Sequence, residues 1–159
     1  MIRRLPLLLA VLSVTIALSV LIGMAGPAAA EGDPPAKIGI RVIYAIKDAT
    51  KSSDPALEDI RKELEDLPFS KFRLLDRLES DVPLNSAVEL QFPGKQSISV
   101  RFQGIDTSKG KTMLALQLAV KPVLNIEMRV ADGGRTLLIG PPYLEGTLIL
   151  DVSAKLKEK

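Results

Sequence analysis

Three carboxylates, Asp76, Glu79 and Asp81, fall close together in LLDRLESDVP, and five more, Glu58, Asp59, Glu63, Glu65 and Asp66, crowd LEDIRKELED. Paired carboxylates are the minimum equipment for glycoside hydrolysis, where one protonated acid works beside one ionised group. Here Arg77 stands between Asp76 and Glu79, and Arg61 and Lys62 interrupt the second set. The charges therefore read first as a solvated, mutually neutralising surface. Other chemistries are closed by composition, because the 159 residues include no histidine, cysteine or tryptophan. That removes Ser-His-Asp and Cys-His nucleophiles and zinc sites built on His or Cys. It also removes disulfides and cysteine lipidation.

Calcium and nucleotides fare no better. DGGR lacks the alternating acids of a Ca²⁺ loop, and GIDTSKG offers only Asp106 with the hydroxyls of Thr107 and Ser108, so both stretches read as turns. Gly133, Gly134 and Gly140 have the wrong spacing for a dinucleotide site and precede no helix. Lys71 and Arg73 share one face of KFRLLDR, which suits the wet side of a sheet or an acidic glycan or lipid headgroup. No cofactor is expected.

The elements that must carry these side chains follow from periodicity. KIGIRVIYAIK puts Ile38, Ile40, Val42, Tyr44 and Ile46 on one face, and Ile43 and Ala45 make the other face partly apolar, so a central strand is expected. SSDPALEDIRKELEDLP carries an N-cap at Asp54, Pro55 at the first helical position and Pro68 past the end. A helix over 55–67 is expected, with a narrow stripe of Leu57, Ile60, Leu64 and Leu67. From Phe69 the period is two: FSKFRLLDRLES, AVELQF, SISVRF, TMLALQLAV and NIEMRV read as strands, with turns at Pro93-Gly94, at DTSKGK and, as a hairpin, at Asp132-Gly133-Gly134. The expected fold is α+β: a mostly antiparallel sheet of about seven or eight strands, curled into a sandwich or open barrel, with one amphipathic helix packed on it.

The chain opens with Arg3 and Arg4 ahead of an uncharged run from Leu5 to Ala30 that ends in Ala28-Ala29-Ala30. This is the layout of a secretory signal cleaved after Ala30. An uncleaved inner-membrane anchor is the alternative, since the run approaches the roughly 20 residues that span a bilayer. A leader over 31–37, one domain over 38–156 and a charged tail over 157–159 complete the expected organisation. Losing Arg3 and Arg4 from 21 basic residues leaves 19 against 19 acidic ones. A neutral chain with 4% aromatic residues lacks the field and the stacking surfaces that nucleic acid requires, so no nucleic-acid partner is expected.

GGRTLLIGPPYLEGTLILDVSA, from Gly133 to Ala154, has two apolar runs that do not alternate, so both need cover on two faces. Within it, DGGRTLLIGPPYLEGTLIL resembles the turn, apolar strand, Gly-rich break and second strand of secretins, the outer-membrane channels of bacterial secretion and pilus systems. The resemblance implies a cell-envelope setting and assembly with other envelope proteins. Pro141 and Pro142 depart from it, standing where a second glycine would be, and the chain is too short for a secretin channel domain. The mature region also resembles small exported bacterial proteins, a likeness that implies no activity.

The expected function is a non-enzymatic binding or assembly module of the bacterial envelope, periplasmic or extracellular. Leu137, Leu138, Ile139, Pro141, Pro142, Tyr143 and Leu144 are the candidate contact residues, offering an edge strand or an apolar patch to an envelope protein. A carboxylate-based glycan hydrolase and an inner-membrane-anchored periplasmic domain are the alternatives. A membrane is a partner only if the N-terminal segment is retained.

Overall fold

The computed structural model describes residues 32–92, 96–121 and 124–158. The expected signal segment with its cleavage point, the Pro93-Gly94 turn and Lys159 lie outside the described residues. In chain order the elements are β1 (Ala36–Ile46), β2 (Ser52–Ser53), a 3-10 helix (Pro55–Ile60), α1 (Arg61–Glu65), β3 (Lys71–Val82), β4 (Ala87–Phe92), β5 (Gln96–Ser108), β6 (Lys111–Val120), β7 (Leu124–Ala131), β8 (Gly134–Tyr143) and β9 (Gly146–Leu156). They form a five-stranded sheet in the order β2-β3-β1-β9-β8 and a four-stranded meander, β4-β5-β6-β7. The fold is α+β and dominated by strand, as the periodicity indicates.

The period-two faces decide how the sheets meet. Ile38, Ile40 and Val42 of β1 and Leu148, Leu150 and Val152 of β9 form one buried cluster with Ile98, Val100 and Phe102 of β5 and Leu114, Leu116 and Leu118 of β6. The opposite face of β1 and β9 carries Ile43, Ala45 and Ile149, which pack with Phe72 under Leu57, Ile60 and Leu64. The first strand is central, pairing antiparallel with β3 on one side and β9 on the other. It begins at Ala36, two residues ahead of its expected start, because Ala36 is buried and Pro35 accepts a hydrogen bond from Lys157 N at 3.0 Å.

The helix is shorter and tighter than expected, and its spacing explains the difference. Leu57 and Ile60 lie three apart and eclipse in a 3-10 turn, while Ile60 and Leu64 lie four apart and suit an α-turn. All three are buried, each contributing roughly 1.5 to 3 kcal/mol through removal from water. Asp54 caps the start by accepting from Ala56 N at 3.0 Å, and Pro55 supplies a preset φ. Leu67 falls beyond the helix and packs against the same cluster half-buried.

Asp132-Gly133 is a corner rather than a hairpin turn: it carries the chain from β7 in one sheet to β8 in the other. Its hydrogen bonds tie it to both sheets, with Asp132 N donating to Thr112 O of β6 at 3.0 Å, Asp132 Oδ1 accepting from Leu156 N of β9 at 2.8 Å and Gly133 N donating to Ala154 O at 2.9 Å. A local glycine-rich signal fixes the bend, while the apolar faces on either side decide which sheet each strand joins. Among the described residues no helix is long and apolar enough to cross a membrane.

Candidate functional site

The C-terminal hairpin β8-β9 divides the candidate contact residues between core and surface. Leu138 packs into the core between the sheets and Leu137 into the cluster under the helix. Pro141 is buried and Pro142 exposed. Tyr143 is half-buried, its ring edge-on to Tyr44 with centroids 5.7 Å apart. Ile139 is 52% exposed and Leu144 is 79% exposed. The stretch is thus two anchors and a buried proline that hold three exposed apolar side chains, Ile139, Pro142 and Leu144, at the margin of the sheet.

Local geometry sets this display. The β8-β9 register shifts between Ile139 and Pro142, a bulge that re-aims the strand before its tip. Tyr143 pairs with Gly146, leaving Leu144-Glu145 as the loop, and Leu144 adopts φ 50°, a left-handed conformation that costs a side-chain-bearing residue roughly 1 to 2 kcal/mol. Gly146 is required by close approach: a Cβ there would overlap the Ala45 carbonyl and come within 2.6 Å of Ile46 Cγ2 and 2.9 Å of Tyr44 Cε2. Beside this end of β1, Tyr44, Ile46, Pro55, Phe72 and Arg73 line an open cleft of about 500 Å³.

The carboxylates distribute differently from their order in sequence. Glu79 pairs with Lys37 at 3.0 Å, Asp81 with Lys157 at 2.6 Å, and Glu58 and Glu65 with Arg61. Asp76 accepts from Arg77 N at 2.8 Å. Among the described residues no group of three or more Asp or Glu is placed to hold a metal ion. Lys71 is tied to Asp48 at 2.6 Å, and that hydrogen bond lowers the Asp48 carboxyl to about 2.

Asp59 behaves unlike the other helix acids. It accepts from Arg41 Nη1 at 2.8 Å, Arg41 Nη2 at 3.0 Å and Arg135 Nη1 at 2.8 Å. Hydrogen bonds from Arg41 first and Arg135 second hold its carboxyl far below the usual carboxylate range. Arg41 also reaches Asp151 Oδ2 through Nε at 2.7 Å and Nη2 at 2.6 Å. Its guanidinium is held above its ordinary value, chiefly by the Asp59 hydrogen bond against the opposing effect of burial. The Asp151 side chain is 3% exposed, and its Oδ1 has no hydrogen-bond partner among the described residues.

Periodicity did not single out this network, although a signal existed. Arg41 interrupts IGIRVIYAI and Asp151 interrupts TLILDVSA, and opposite charges inside two strands buried on both faces must find each other. The register puts them directly opposite. Comparison with protein-family models, with curated proteins and with solved structures finds no significant match for this chain.

Proposed function

We propose that the protein is a non-enzymatic binding or assembly module of the bacterial envelope, exported by its N-terminal segment, and that the β8-β9 tip is its contact surface. One observation carries the reading: Leu144 is 79% exposed and held at φ 50°. A turn selected for stability alone would place Gly, Asn or Asp there, and both the exposure and the strain favour a side chain kept for what it touches. Ile139 and Pro142 extend the apolar patch, and Tyr143 against Tyr44 gives it a stiff base. The partner this surface suits is an envelope protein with an apolar recess, in line with the likeness of the hairpin to secretin modules.

Crosslinking in intact cells tests it. A photoreactive side chain at position 145, exposed beside Leu144, is expected to trap a discrete envelope protein, and Ile139→Asp with Leu144→Gly is expected to abolish the adduct while the fold persists. An adduct unchanged by those substitutions would remove the tip from the contact, and a mature mass retaining residues 1–30 would remove processing after Ala30.

A further inference from the structure

The helical roof covers only part of the outer face of the five-stranded sheet. Beyond its edge, two rows of side chains run across the strands: Arg77, Arg41, Asp151 and Leu137, then Glu79, Gly39, Ser153 and Arg135 on β3, β1, β9 and β8. Asp59 overhangs them from the 3-10 helix, and together with all of them but Leu137, which packs under the roof, it lines a cleft of about 230 Å³. A single water needs only roughly 10 to 15 Å³. Gly39 keeps the floor open, since a Cβ there would meet Ser153 Oγ at 2.7 Å.

We propose that this cleft binds a small carboxylate that carries a hydrogen-bond donor near its acid group, the chemistry shared by amino acids and hydroxy acids. The two requirements come from different side chains. Arg77 uses Nη2 on the Ala56 carbonyl and Arg135 uses Nη1 on Asp59. A guanidinium has five donors in a planar fork, so both retain the geometry that receives a carboxylate in two-point fashion. Their strands flank the cleft with β1 and β9 between them, a backbone span of roughly 14 Å that two long side chains can close from either side. Glu79, the acid on the same wall, is neutralised by Lys37.

The donor requirement comes from Asp151. Its Oδ2 is fully engaged by Arg41, while Oδ1 is buried without a partner, a penalty that a ligand's donor relieves once the side chains covering that oxygen shift to admit it. An amine or hydroxyl beside the ligand's acid group supplies that donor, and the Ser153 hydroxyl, which already reaches Gly39 O at 3.3 Å, can accept a second hydrogen bond. The site lies around the middle of β1, whereas the hairpin tip sits against Tyr44, Ala45 and Ile46 at its C-terminal end, so it stands independently of the contact surface proposed above.

Amide chemical shifts of isotopically labelled protein test it, with glycine and lactate as probes. Acetate is the acid without the donor, methylamine the donor without the acid, and sodium chloride the ionic-strength control. Glycine, lactate or both are expected to shift the amides of Gly39, Ser153 and Arg135 saturably, with acetate and methylamine weaker by at least about tenfold. Arg77→Gln with Arg135→Gln is expected to weaken the preferred probe by at least about tenfold while lowering the thermal midpoint by only a few degrees, through loss of the Arg135–Asp59 pair. Should that pair fail to fold, Arg77→Lys, which keeps the charge and loses the fork, takes its place. Equal responses to acetate or to sodium chloride, a response to methylamine that matches the probes, no saturable shift, or arginine variants that bind as wild type would each overturn the proposal.

Discussion

Arg41 shows how one residue can join three elements. Its guanidinium, with 14% of the side chain exposed, holds β9 through Asp151 and the helical roof through Asp59, and Asp59 in turn holds β8 through Arg135. A half-buried cation of this kind is tolerable only because both of its faces meet carboxylates. Asp59 is 50% exposed, so its pairs are worth about 1 kcal/mol or less at neutral pH. Its folded-state pKa is depressed, so that stability is fully present above the unfolded carboxyl value of roughly 4 and is lost as pH falls below it. Urea unfolding of wild type and Asp59→Asn across a pH series is expected to show a gap at pH 7 that narrows steadily on acidification below about 4. A gap that does not narrow would mean that the Asp59 charge contributes nothing.

The roof is the element whose contribution is easiest to isolate, because its backbone joins no strand ladder and its apolar docking rests on three buried side chains. Leu64→Ala leaves a hole over Ile43 and Ile149 and is expected to cost about 2 to 5 kcal/mol by denaturant titration, whereas Lys62→Ala, on the exposed side, is expected to change little. Much of this level was legible in advance. Period two gave the strands, the two-sided apolar character of IGIRVIYAI marked β1 as central and that of TLILDVSA called for cover on both faces of β9, and Asp54-Pro55 marked where the helix begins. The division into a 3-10 turn and a short α-turn was present in the three-then-four spacing of Leu57, Ile60 and Leu64. The corner at Asp132-Gly133 was not legible, since a turn signal says that the chain bends and leaves open which sheet it enters. The cleft was hidden for a related reason: Gly39, Arg41, Arg77, Arg135, Asp151 and Ser153 become neighbours only once strand register is set, and register depends on every face at once.

At the scale of the molecule, β1 and β9 are partners from the two ends of the described chain, with Ala36 opposite Leu156. The central strand therefore remains half-paired until the last strand arrives, which puts much of the stability in contacts of great sequence separation. Folding in the millisecond-to-second range is expected. Native-state hydrogen exchange is expected to be slowest in β1 and β9, where both faces are covered, and fastest around the β5-β6 turn at Lys109-Gly110. Uniform exchange across all strands would contradict this hierarchy. The prolines of β8 carry a different consequence. Pro141 and Pro142 have no N–H to offer, and the bulge beside them bends the border of the sheet, so a second copy of the chain cannot zip onto this stretch and grow a fibril from it. A partner at the tip, as proposed above, would grip side chains rather than borrow the backbone, and the chain can carry an oily finger without seeding its own precipitation there.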